Sequence, residues 1–118
     1  MKYLLIHCLD ETAELSPEDD ADVEDSAAAQ AVAAWDAEME ARGVKLSGGR
    51  LLPVSDAKTV RVRGGEVLVS DGPFAETKEQ VAGFNVLECA DLDEAIEVAS
   101  RHPTARIGTF ELRPISPG

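Results

Sequence analysis

Two stretches of this chain carry a helical stripe, strand-like runs separate and flank them, and two helices can cover only one face of a sheet. The first stretch opens at Ser16-Pro17-Glu18-Asp19: Ser is a good N-cap, Pro is preorganised for the first helical position, and acids suit the positive end of the dipole. From there to Arg42 no Gly or Pro interrupts it, and Ala28, Val32, Trp35 and Met39 recur at helical spacing before Gly43 stops the run. The second opens at Asp91-Leu92-Asp93-Glu94, where Asp91 and Glu94 have capping-box spacing. Its expected buried stripe is Leu92, Ala95, Ile96 and Ala99, and Arg101, His102 and Pro103 end it.

The strands are read from runs and alternation. Residues 2–9, KYLLIHCL, are too short for a normal helix and predict a buried strand, with Leu4, Ile6 and Cys8 on one face and Tyr3, Leu5, His7 and Leu9 on the other. Val44–Leu52 predicts a short strand that bends at Gly48-Gly49. Thr59–Arg63 and Glu66–Ser70 flank Gly64-Gly65, and two adjacent glycines can both take the positive φ of a two-residue hairpin turn. Asp71-Gly72-Pro73 forces a turn, residues 74–82 suit a helical turn or a structured loop, and Gly83–Cys89 predicts a further strand. Ile107–Arg113 is the last strand, with Phe110 and Leu112 on one face.

The order β-α-β-(β-β)-β-α-β points to one α+β domain over residues 1–118, a ferredoxin-like sandwich of an antiparallel sheet and two main helices. Leu4, Ile6, Cys8, Phe84, Val86, Phe110 and Leu112 are expected to face the helices. The opposite face would then carry Tyr3, Leu5, His7, Asn85, Leu87, Cys89, Thr109, Glu111 and Arg113, a mixture that a second subunit would cover. A homodimer with a pocket near its interface is therefore expected.

Charge excludes some partners. Eleven Lys+Arg against 23 Asp+Glu give −12, which argues against nucleic acid and against anionic membrane surfaces. No apolar run has the length of a membrane span, and the start has no secretory cleavage pattern, so a cytoplasmic protein without membrane contact is expected. Nine acids fall within residues 10–25, read either as a solvated segment or as a docking patch for a basic partner. Cys8 and Cys89 read as inert buried thiols, a redox pair requiring neighbouring strands. Zinc-ligand spacing, a phosphate loop, a nucleophile elbow and HExxH are all missing, so neither metal nor cofactor is expected.

Asp71-Gly72-Pro73-Phe74-Ala75-Glu76-Thr77-Lys78-Glu79 closely resembles the signature of the DGPF branch of the YCII-related proteins. Lys2–Ile6, Leu15-Ser16-Pro17-Glu18, Thr59–Val62, Gly83-Phe84, Asp91–Ala95 and Glu111–Pro114 resemble that family too, so the likeness covers nearly the whole chain. The resemblance implies a dimeric α/β-barrel of ferredoxin-like subunits. Its superfamily includes small monooxygenases, muconolactone isomerases and a dehydrochlorinase of chlorinated hydroxyquinols, and some branch members are linked to extracytoplasmic-function sigma factors. Some relatives carry a His/Asp pair with the His near the start of the first helix. Residues 16–42 hold no histidine, and His102 stands where those relatives often place an Asp, so that pair is not carried over.

Five residues are candidates for chemistry. Asp71 could act as a base with Gly72 and Pro73 fixing its direction, or bond backbone amides as turn aspartates do. His7 could transfer protons near neutral pH, or serve as a hydrogen-bonded interface residue. Asn85, His102 and Arg113 could bind a ligand, His102 otherwise being an imidazolium that caps a helix end. Two functions follow as expectations. One is cofactor-independent proton-transfer or lyase chemistry on a small polar or aromatic compound; the other is a non-catalytic interaction protein using its acidic first helix.

Overall fold

A computed structural model describes residues 1–10, 27–75 and 77–118. Its elements in chain order are β1 (Lys2–Leu9), α1 (Ala27–Ala41), β2 (Lys45–Arg50), β3 (Lys58–Arg63), β4 (Glu66–Asp71), β5 (Gln80–Glu88), α2 (Leu92–Ser100) and β6 (Thr109–Pro114). Short 3-10 turns lie at Val54–Asp56 and Pro103–Arg106. The Ser16-Pro17 start of the first helix and the acidic segment, apart from Asp10, lie outside the described residues.

β1 pairs antiparallel with both β5 and β6, and β2 pairs with β5, so the main sheet runs β2-β5-β1-β6. With the β3–β4 hairpin set aside, this is the ferredoxin-like order, and the expected α+β class with antiparallel strands and two helices is what forms. The hairpin is a separate two-stranded sheet. Gly64 and Gly65 take φ of +57° and +79°, as the two-residue turn requires. Asp91 caps α2 by accepting from the Glu94 amide at 2.9 Å, while the Glu94 carboxylate accepts from the amide of Ala90 at 2.8 Å.

The facing of β1 and β5 is the reverse of the expectation, while Phe110 and Leu112 of β6 face the helices as expected. Register places Leu5 opposite Leu112 and His7 opposite Phe110, so these four share a face, whereas Leu4 and Ile6 oppose Arg113 and Glu111. Tyr3, Leu5, Asn85, Leu87 and Cys89 lie buried on the helix side, with Trp35, Met39, Ala95 and Val98 packed in the same core. Leu4, Ile6, Cys8, Phe84 and Val86 therefore lie on the other, open face, which no helix among the described residues covers. The physical reason is that β1 is apolar on both sides, so its own alternation carries no preference; the large helix residues Trp35 and Met39 select one side. The helix stripes are also narrower than expected. Trp35 and Met39 are buried in α1 while Ala28 is exposed, and α2 buries Ala95, Val98 and Ala99 while Leu92 and Ile96 stay half exposed. The Trp35 indole donates to the Val98 carbonyl at 2.9 Å and ties the two helices together.

Candidate functional site

At the end of β1, the helix side of the sheet carries a cluster of rings. His7 comes from β1, Phe110 from its partner position on β6, His102 from the residue after α2's C-cap, and Trp35 from α1. His7 and Phe110 stack at 4.5 Å with 15° between planes. His102 meets His7 edge-on at 4.9 Å, Trp35 at 4.7 Å and Phe110 at 5.1 Å. Asn85, on β5, completes the group: its Oδ1 accepts a hydrogen bond from His7 Nε2 at 2.7 Å.

These contacts decide where the imidazole protons sit. An amide oxygen only accepts, so His7 Nε2 carries the proton and the lone pair is on Nδ1. His102 Nδ1 accepts from the backbone N–H of Thr104 at 3.1 Å, so its proton is on Nε2. Neither His7 Nδ1 nor His102 Nε2 hydrogen-bonds another described residue, and no side-chain nitrogen or oxygen among the described residues is both sealed from solvent and unpartnered. Among the described residues, His7 Nδ1 meets no donor and His102 Nε2–H no acceptor.

Both rings are held neutral. Burial, and then the neighbouring His7, push His102 down from 6.5 to about 4; Lys45 acts in the same direction and Asp36 opposes it. Burial also lowers His7, against the opposing pull of the Asn85 hydrogen bond and of Asp36. Asp36 on α1 and Lys45 on β2 pair with each other at 2.9 Å. The imidazolium cap expected for His102 is therefore overturned. Buried among three other rings, it is a neutral N-cap for the turn Pro103–Arg106, and desolvation outweighs the partial charge of a nine-residue helix.

Asn85 is held from the other side by β2. A Cβ at Gly48 would lie 2.2 Å from Asn85 Nδ2, so glycine is required at that point for the amide to stand where it meets His7. An open apolar groove of about 360 Å³ runs between α2 and β6, lined by Leu92, Ile96, Ala99, Ser100, Ala105, Phe110 and Leu112. Phe110 is common to the groove and the ring cluster.

Of the five candidates, His7, Asn85 and His102 come together; Asp71 and Arg113 do not. Asp71 ends β4, is exposed, and ion-pairs with Lys58. Around it, the Gly72 amide donates to the Ala57 carbonyl at 2.8 Å, the Thr59 hydroxyl donates to the Gly72 carbonyl at 2.9 Å, and the Arg61 guanidinium lies 5.5 Å from the centre of the Phe74 ring. The Asp71–Phe74 segment thus clasps the base of the hairpin. Arg113 is exposed, pairs with Glu111 at 3.6 Å, and lies on the opposite sheet face from His7. Cys8 opposes Val81 whereas Cys89 follows Glu88, the partner of Lys2, so the two thiols sit at opposite ends of the sheet; burial raises both. No group of three His, Cys, Asp or Glu suited to a metal ion occurs among the described residues. Sequence reasoning missed Trp35, Phe110, Asp36 and Lys45 as neighbours of the site; their stripe and strand positions were visible, but only the register joins them to His7.

The fold and the ring cluster define an α+β protein of ferredoxin-like topology with two imidazoles held close together on the helix side of its sheet. The YCII-related domain matches residues 1–117, and the chain belongs to that family. An uncharacterized protein of Rhizobium meliloti (strain 1021) is 48% identical over 69 residues, 57% of this chain; the chain spans 56% of that relative's length. Among solved structures, 5-chloro-2-hydroxyhydroquinone dehydrochlorinase from Burkholderia phenoliruptrix AC1100, in complex with 2,5-dihydroxybenzoquinone, has the same fold, with a TM-score of 0.54 and 14% identity. That match covers 100% of this chain and 96% of the other. No helix among the described residues is long and apolar enough to cross a membrane.

Proposed function

We propose that the protein binds a small hydroxylated aromatic or quinonoid compound beside the ring cluster and performs cofactor-independent proton transfer or elimination there. The observation that carries this reading is a pair of close, neutral imidazoles that leave unlike atoms unpartnered among the described residues, Nδ1 of His7 and Nε2–H of His102. His7 Nδ1 accepts a proton from the substrate as general base, while His102 Nε2–H donates a hydrogen bond to the oxygen on which charge develops. In an elimination the C–H electron pair forms the new double bond and the leaving group departs with its own pair. Phe110 and the apolar groove beside it offer a surface for a flat ring. The ligand-bound dehydrochlorinase of the same fold supports the substrate class.

The reading places the chain in the DGPF branch, in the cytoplasm, as a homodimer whose open sheet faces meet in a dimeric α/β-barrel. Its apolar open face, centred on Leu4, Ile6, Phe84 and Val86, supports that assembly. The alternative, an interaction protein acting through residues 10–25, rests on residues that, apart from Asp10, lie outside those described, and no comparison favours it.

The test is a thermal-shift series with 2,5-dihydroxybenzoquinone, simple phenols, small acids and lactones. A ligand of the folded state at a hundredfold excess over its Kd adds about 2.7 kcal/mol. The stabilisation is expected in the wild type and in Asp71→Ala, and is expected to be lost in His7→Ala and His102→Asn. A hit that survives both histidine substitutions would place the site elsewhere.

A further inference from the structure

The β3–β4 hairpin has an apolar face that stays largely exposed, with no strand of the main sheet among the described residues paired to it. Val60 opposes Val69 and Val62 opposes Val67, so four valines share one side, each 58–64% exposed. Thr59, Arg61, Arg63, Glu66, Leu68 and Ser70 occupy the other side. A two-stranded hairpin is marginal in water unless something packs on it, yet the Asp71–Phe74 clasp holds its base in a defined place. It is built as an arm.

We propose that the valine face of this hairpin is an intermolecular arm that packs on a second copy of the chain; the proposal rests on the homodimer reading and names the segment that secures it. Area supports it. Four valines about three-fifths exposed present on the order of 400 Å², about half of the ~800 Å² that each partner contributes to a standard interface. An isologous pairing uses the arm and the open sheet face of both copies. Charge supports it as well. The chain carries −12 overall, but residues 57–72 hold Lys58, Arg61 and Arg63 against Glu66 and Asp71, a net of +1. The arm is the part of an acidic chain that a second acidic copy attracts.

The experiment is light scattering and sedimentation on the full chain, with substitutions at the hairpin tip. The wild type is expected at twice 12.6 kDa, and Val62→Lys with Val67→Lys at 12.6 kDa with the far-UV spectrum of the sheet and helices retained. Arg63→Gln, on the opposite side of the hairpin, is expected to leave the mass at the dimer value. The near-isosteric Val62→Thr with Val67→Thr keeps strand propensity and is expected to raise the dissociation constant at least tenfold. A dimer with an unchanged dissociation constant in both valine pairs overturns the arm and leaves the homodimer standing. A monomeric wild type overturns both.

Discussion

Protonating His102 should unlatch the ring cluster, and the structure gives a size for the effect. His102 is 4% exposed, its ring faces His7, Trp35 and Phe110, and the charges of Asp36 and Lys45 act on it in opposite directions. Its value falls from 6.5 in the unfolded chain to about 4 in the folded one. A depressed folded value means that the unfolded state takes up the proton first. Stability is therefore full above 6.5 and is lost as pH falls from there towards 4. A shift of that size corresponds to roughly 3 kcal/mol, and protonation also destroys the Nδ1 acceptor that satisfies the Thr104 amide. The assay is urea unfolding at pH 7 and pH 4.5, in the wild type and in His102→Asn. Asparagine is a good N-cap but does not titrate, so the variant starts less stable at pH 7 through lost ring packing. Over this interval its stability should fall less than that of the wild type by ~2 kcal/mol, about 1–2 M in the urea midpoint for a protein of this size. Equal losses in the two proteins would refute the reasoning, since they would mean that His102 titrates alike in both states.

Gly48→Ala drives a methyl group onto Asn85 Nδ2, and the expected cost is about 2–3 kcal/mol, with loss of the single His7 tautomer in imidazole nitrogen spectra. Trp35→Phe removes the indole donor from the Val98 carbonyl, which keeps the Arg101 amide at 3.3 Å, and calorimetry should show about 1 kcal/mol less stability with the helices less firmly joined. Asp71→Ala removes an exposed ion pair and should leave the melting temperature close to wild type, because solvent screens such pairs.

The order of elements was legible because each signal is local. Gly64-Gly65 between alternating runs, Gly43 after the first helix and Asp91 with Glu94 at the start of the second act over a few residues, and each does so in the structure. The facing of β6 was legible, Phe110 and Leu112 packing on the helix side as read, but that of β1 and β5 was not. Leu4, Leu5 and Ile6 are all apolar, so no alternation in β1 marks an inside, and the choice falls to the register with Leu112 and Phe110. The site was half visible for the same reason. His7, Asn85 and His102 were identifiable as polar residues within or beside apolar runs, but 78 residues separate His7 from Asn85, and only the β1–β5 pairing brings them to 2.7 Å. His102 misled because helix-end electrostatics is a local rule, whereas its burial against Trp35 and Phe110 is a long-range outcome. Asp71 stood out for its motif, and the structure gives that motif a mechanical task at the base of the hairpin.

The central claim is that His7 and His102 are neutral, are both fixed as Nε2–H tautomers, and face the ligand with unlike nitrogens, Nδ1 of His7 and Nε2–H of His102. Long-range proton–nitrogen correlation spectra of the two imidazoles at pH 7, recorded during titration with 2,5-dihydroxybenzoquinone, test it most directly. The account predicts an Nε2–H tautomer for both rings in the free protein, with His7 Nδ1 and His102 Nε2 shifting together as ligand is added. An imidazolium at either position in the free protein, or ligand binding that leaves both rings unmoved, would contradict it.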